Sequence, residues 1–151
     1  MPDHLRFTWI TDGDGNGQII AEAAARGWAG TADGWLADRT VRAFASDLRR
    51  YPLDPEAPPR LLTGFGPNGR GEGGFQATID LSLIVIGSRG RLAADIHLST
   101  FVWPEDPIQI GSSGRIVLPT SYQQVAQFAD AIDALLDGRS EEAVLLGETF
   151  S

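Results

Sequence analysis

Two neighbouring stretches that agree on which side is buried constrain this chain more than any other feature. From Gly74 to Trp103 the residues read as a long antiparallel β-hairpin. Phe75, Ala77, Ile79, Leu81, Leu83 and Val85 fall on one side of its first arm, and Gln76, Thr78, Asp80 and Ser82 on the other. That period of two marks a half-buried strand. The second arm repeats it, with Leu92, Ala94, Ile96, Leu98 and Val102 on one face and Arg91, Asp95, His97 and Ser99 on the opposite one. Gly87-Ser88-Arg89-Gly90, a connector of hairpin length, joins the arms.

Pairing Ile86 with Arg91 sets Val85 opposite Leu92, Leu83 opposite Ala94, Leu81 opposite Ile96 and Ile79 opposite Leu98. A slip of one residue would turn one arm inside out. Since each large aliphatic side chain contributes about 1.5–3 kcal/mol on burial, the register is hard to displace. The same register sets Asp80 across from His97 and Ser82 across from Asp95. A histidine beside carboxylates can act as a general base or a pH-sensitive contact, which makes Asp80, Asp95 and His97 the catalytic candidates. The competing reading is a solvated polar face whose cross-strand pairs contribute about 0.2–1 kcal/mol each. No nucleophile is visible beside them. Ile84, Ile86, Phe101 and Trp103 interrupt this face, which predicts that another segment or a partner covers part of it.

At 151 residues the chain is expected to form a single domain, 1–151, with a core that needs no staples. It has no cysteine, which excludes disulfides, thiolate zinc sites and cysteine nucleophiles, and only two histidines. Its formal charge is −8. That balance argues against a nucleic-acid partner, whose backbone is met by clustered cations, and favours a basic protein partner. The amino terminus carries no secretory pattern, and the longest uncharged apolar run, Leu81 to Ser88, is far too short to span a bilayer. A cytoplasmic location without membrane association is the expectation. All twelve basic residues are arginine, a bias that suggests a GC-rich bacterial source.

Elsewhere the chain reads in order. His4 to Thr11 is a first strand with Leu5, Phe7 and Trp9 on one side. Asp12-Gly13-Asp14-Gly15-Asn16-Gly17 is a turn in either of two senses. Its residues accept positive φ, as hairpin loops require. They also match the opening of a calcium loop, with Asp12, Asp14, Asn16 and Gln18 as ligands. Against calcium, Ala23 stands where the closing bidentate carboxylate belongs, and Glu22 sits one place early.

Gln18 to Leu36 is expected to be one strand bent at Gly27-Trp28-Ala29-Gly30, its two tryptophans in the core, with stacking on a partner as the alternative. A helix follows with Asp38 as N-cap and Val41, Phe44, Ala45 and Leu48 on one stripe, ending before Pro52. Arg60 to Thr63 is a short strand, and the run 64–74 a flexible glycine-rich loop. Gly64-Phe65-Gly66-Pro67-Asn68-Gly69 spells a dinucleotide-binding pattern but lacks the strand-loop-helix flanks that give it force. After a strand over Ile108 to Leu118, Pro119 and Ser121 open a second helix with Tyr122, Val125, Phe128, Ala129, Ile132 and Leu135 on its stripe. Gly138 caps it, and 139–151 reads as a loosely held tail, docking through Val144 to Leu146.

The helices share a pattern, Val41-x-x-Phe44-Ala45-x-x-Leu48 and Val125-x-x-Phe128-Ala129-x-x-Ile132. Duplication of a strands-then-helix unit would produce it; two helices wanting the same stripe on one sheet is the simpler account. The expected class is α+β: an antiparallel sheet of about five to seven strands with both helices on one face.

Gly27-Trp28-Ala29-Gly30, a Val-x-x-Phe-x-x-x-Leu helix, a hairpin and a closing helix with Tyr122, Phe128 and Leu135 occur in an order that resembles the WapI-type bacterial immunity proteins and related uncharacterised actinobacterial proteins. The likeness runs from about Phe7 to Gly138 and brings no functional residue with it. It implies a cytoplasmic protein that neutralises a toxin by binding, and an acidic surface suits a basic toxin. Two other readings stand beside it: an enzyme or small-ligand protein using Asp80, Asp95 and His97, which needs a pocket over that face, and a calcium-dependent module.

Overall fold

The computed structural model describes residues 2–65, 75–87, 89–103, 105–108 and 110–148. Eight strands and two helices are found among them. The chain begins with a meander, β1 (His4–Thr11), β2 (Asn16–Ala25) and β3 (Trp28–Ala37), which runs into helix α1 (Asp38–Leu48) and then β4 (Arg60–Phe65). A second meander follows, β5 (Gln76–Val85), β6 (Arg91–Ser99) and β7 (Ser113–Ser121), with helix α2 (Tyr122–Leu136) and β8 (Ala143–Leu146) after it.

These strands make two antiparallel four-stranded sheets, ordered β3-β2-β1-β8 and β4-β5-β6-β7, rather than the single sheet expected. Each half of the chain therefore builds three strands of one sheet and sends its fourth across to the other. Leu61 of β4 sits opposite Leu81, and Leu145 of β8 opposite Leu5, all four buried. The shared helix pattern thus belongs to a repeated topology.

The central hairpin has the expected register. Val85 faces Leu92, Leu83 faces Ala94, Leu81 faces Ile96, Ile79 faces Leu98 and Asp80 faces His97. The Ile86 N–H donates to Arg91 O at 2.8 Å. Ile96 is buried and His97 exposed. At its base the alternation breaks, because a bulge leaves Thr78 as an extra residue between the Thr63–Ile79 and Gly64–Ala77 pairs. A bulge puts two successive side chains on one face. Thr78 is accordingly buried beside Ile79, its hydroxyl 2.7 Å from that of Thr63, while Phe75 is exposed.

The two sheets and two helices enclose one core. β3 runs against all four strands of the second sheet, a close approach allowed by its missing side chains: a Cβ on Gly34 would collide with Thr63. The helices pack on each other, α1 also on β3 and β4, and α2 on β1, β7 and β8. Phe7 and Phe128 meet at the centre with ring centroids 5.2 Å apart. Across the helix pair Arg49 reaches Asp130 at 2.8 Å and Asp133 at 2.7 Å, and Arg42 reaches Asp137 at 2.7 Å.

Three local expectations are corrected. The segment over Gln18 to Leu36 is a hairpin, turned by Arg26 at φ 53° and Gly27 at φ 86°, the two successive positive values of a tight turn. The cap of α1 is Ala37, without a side-chain bond, and Asp38 instead accepts from Arg42 Nε at 2.8 Å. In α2 Ser121 caps as expected, accepting from the Gln124 N–H at 3.2 Å. The tail contributes strand β8, with Ala143 and Leu145 fully buried. Residues 66–74 of the glycine-rich run and 149–151 of the tail lie outside the described residues.

Phe128 is fully buried and meets Phe7 of β1 where helix and sheet join. Phe128→Ala is expected to lower stability by about 3–5 kcal/mol, read as a fall in the denaturant midpoint at unchanged slope.

Candidate functional site

The outward face of the second sheet holds the three residues read as catalytic candidates, and each carboxylate is held by an arginine. Arg60 Nε and Nη2 donate to Asp80 at 2.9 Å each. Arg115 Nε and Nη2 donate to Asp95 at 2.8 and 3.2 Å. His97, exposed, lies with Nε2 3.3 Å from Asp95 Oδ1. The structure thus brings Asp95 and His97 together on β6 and places Asp80 on β5 in register with His97, with an arginine of each outer strand on either side.

The hydrogen bonds from Arg60 hold the Asp80 carboxyl below the usual range, against a smaller opposing effect of burial. An acid–base catalyst needs the reverse, a carboxyl poised near neutrality. The two cavities described below are lined by neither Asp80, Asp95 nor His97. Ile84 and Ile86 on this face are half-buried, and Phe101 and Trp103 lie beyond the end of β6.

The Asp12–Gly17 stretch is the β1–β2 turn. Gly13 and Gly15 take φ 87° and 94°, and the Asp12 N–H donates to Asn16 O at 3.1 Å. Asp12 Oδ1 accepts from the Asp14 N–H at 3.2 Å, and Asp14 Oδ1 from the Asn16 N–H at 3.2 Å. From Asn16 onward the chain is extended, so Glu22 lies about 20 Å along β2 from Asn16 at the usual strand rise. It is bonded there to Arg6, and Gln18 Nε2 donates to Asp33 at 2.6 Å. Among the described residues no group of three or more His, Asp or Glu side chains is arranged to hold a metal ion. His4 is buried with Nδ1 3.0 Å from Pro2 O and Nε2 3.6 Å from Glu22, whose carboxylate Arg6 already engages.

A second surface feature lies along β3. Gly30, Ala32 and Gly34 point towards the second sheet and fill little of the space there, whereas Trp28 and Trp35, expected in the core, are 76% and 57% exposed. The reason is the hairpin: the turn at Arg26-Gly27 places Trp28 at the start of an outer strand. Two adjoining hollows follow this strand. One of about 210 Å³ lies between Trp28–Thr31 and the ends of β6 and β7, floored by Ile96, Leu98 and Ile116. The other, about 190 Å³, lies between Thr31–Trp35 and Phe65, Thr78 and Phe101. Phe65, Phe101 and Trp103 stack edge to face beside it, with centroid separations of 4.6 and 4.9 Å.

Each hollow falls short of the roughly 300 Å³ at which small-molecule sites begin, and is of a size to take one large side chain. The signal for this surface in the chain was the pair of tryptophans spaced by glycines, a pattern that core packing does not require.

Comparison with protein-family models, curated proteins and solved structures gave no match. No helix among the described residues is long and apolar enough to cross a membrane.

Arg60→Ala should raise the Asp80 titration midpoint towards the ordinary carboxylate range, followed by carboxyl NMR. Because Asp80 is depressed in the folded state, its contribution is present above the unfolded value and lost as pH falls through the folded one. The variant should therefore be less stable by at most about 1 kcal/mol at neutral pH, with the difference vanishing in acid. Trp28→Ala and Trp35→Ala should change stability by less than about 0.5 kcal/mol, measured by chemical unfolding.

Proposed function

We propose that this chain is a small acidic binding protein of the bacterial cytoplasm that acts by protein–protein contact on a basic partner, as a toxin-neutralising immunity protein does. The observation that carries this reading is the concentration of exposed aromatic rings, Trp28, Trp35, Phe65 and Trp103, around β3 on a chain of charge −8. Large exposed apolar patches on a soluble domain mark interaction sites, and aromatic residues dominate the energy of such contacts. Arg42, Arg49, Arg60 and Arg115 are engaged by carboxylates, while Asp12, Asp14 and Asp33 are exposed and, among the described residues, carry no arginine in an ion pair. The electrostatic pull is therefore on cations.

The test is co-expression with each growth-arresting basic protein encoded beside this chain's own gene. Restored growth and a co-purifying complex whose affinity falls as salt rises are expected. Continued arrest with no complex formed would remove the reading.

A further inference from the structure

We propose that the partner docks as an extended segment bearing Arg or Lys, added as a fifth strand to the free edge of β3. This rests on the binding-protein reading above and names its surface. Among the described residues β2 alone pairs with β3, and it does so over ten consecutive residue pairs without a bulge, from Ala37 to Trp28. A long regular edge is an open template for another strand, and proteins ordinarily defend it with short length, bulges, proline or charge. The other three edges are defended. β8 has four residues, β4 has six and abuts the bulge at Thr78, and β7 carries Pro119 and the Arg115–Asp95 pair. β3 has no proline and no cation, and Asp33 is its one charge.

The hollows beside β3 supply what strand addition needs beyond backbone pairing. Strand addition takes affinity from main-chain hydrogen bonds and specificity from pockets for alternate side chains. The two hollows lie in series along Trp28–Trp35, a span of about 23 Å at the usual rise, with Trp28 at one end and Trp35 at the other. Charge selects the occupant. Asp33 is exposed at the middle of the edge, and Asp12 and Asp14 project from the turn at its Trp35 end. The arginine that lines either hollow, Arg115, is held by Asp95. An acidic strand would meet like charge here, and a basic one would find both carboxylates and tryptophan faces for its cations.

The experiment uses the full chain and a synthetic peptide of about nine residues alternating arginine and valine, with a glutamate–valine peptide as control. Binding is followed by titration calorimetry and by residue-resolved amide hydrogen exchange. The expected result is binding of the arginine peptide alone, with slowed exchange at alternate amides between Trp28 and Trp35, the signature of backbone pairing on one edge. Thr31→Lys and Asp33→Lys, both at exposed positions, should each weaken it by roughly tenfold while leaving the melting temperature unchanged. Protection elsewhere, equal binding of both peptides, no binding, or pairing of β3 with a second copy of this chain would overturn the inference.

The same exchange measurement on a complex with a neutralised toxin separates the two readings. Protection away from β3 sinks the docking edge and leaves the binding protein standing. Peptide addition at β3 in a chain that rescues no toxin keeps the edge and sinks the immunity role.

Discussion

The exchange of fourth strands between the halves is the constraint on which the rest of the architecture depends. Leu61 against Leu81 and Leu145 against Leu5 close each sheet with a strand from the other half, so neither meander is complete alone. With β4 and β8 committed in this way, α1 and α2 are drawn onto each other and onto the strands that flank them. Phe7 and Phe128 then meet across that junction, one from each half. Arg42 of α1 and Arg49 at its C-cap follow, reaching Asp130 and Asp133 on α2 and Asp137 at its C-cap, which links the helices side by side.

Legibility in the sequence followed distance along the chain. The β5–β6 register was readable to the residue because two alternating arms had one pairing that satisfied both, and that pairing is the one found. The helix stripes Val41-Phe44-Ala45-Leu48 and Val125-Phe128-Ala129-Ile132 were readable for the same local reason. For β8 only the docking of Val144 to Leu146 was readable, not its pairing as a strand, since its partner β1 lies more than a hundred residues away and four residues carry too short a pattern. The division into two sheets depends on those same remote pairings. Thr78 was misplaced because a bulge does not announce itself in alternation, only in the partner strand.

The candidate site was legible in part. Asp80, Asp95 and His97 stand where the register put them, yet their chemistry is decided by Arg60 and Arg115 on the two outer strands, which the hairpin alone could not supply. Arg49, Arg60 and Arg115, far apart along the chain, are each brought by the fold onto carboxylates. The tryptophans were misjudged because large rings are most often buried, and only the turn at Arg26-Gly27 turns a bent strand into an outer one.

The two meanders are built alike but furnished differently. Where β7 turns Ile116 and Leu118 inward, the matching positions of β3, set by the pairs Ile96–Ile116 and Ala23–Gly30, Ala94–Leu118 and Ala21–Ala32, hold Gly30 and Ala32. The second meander carries bulk and a guarded margin, and the first carries neither. Such a division of labour leaves one meander to anchor the molecule and gives the other an outer strand that can be altered with little disturbance to what lies beneath it.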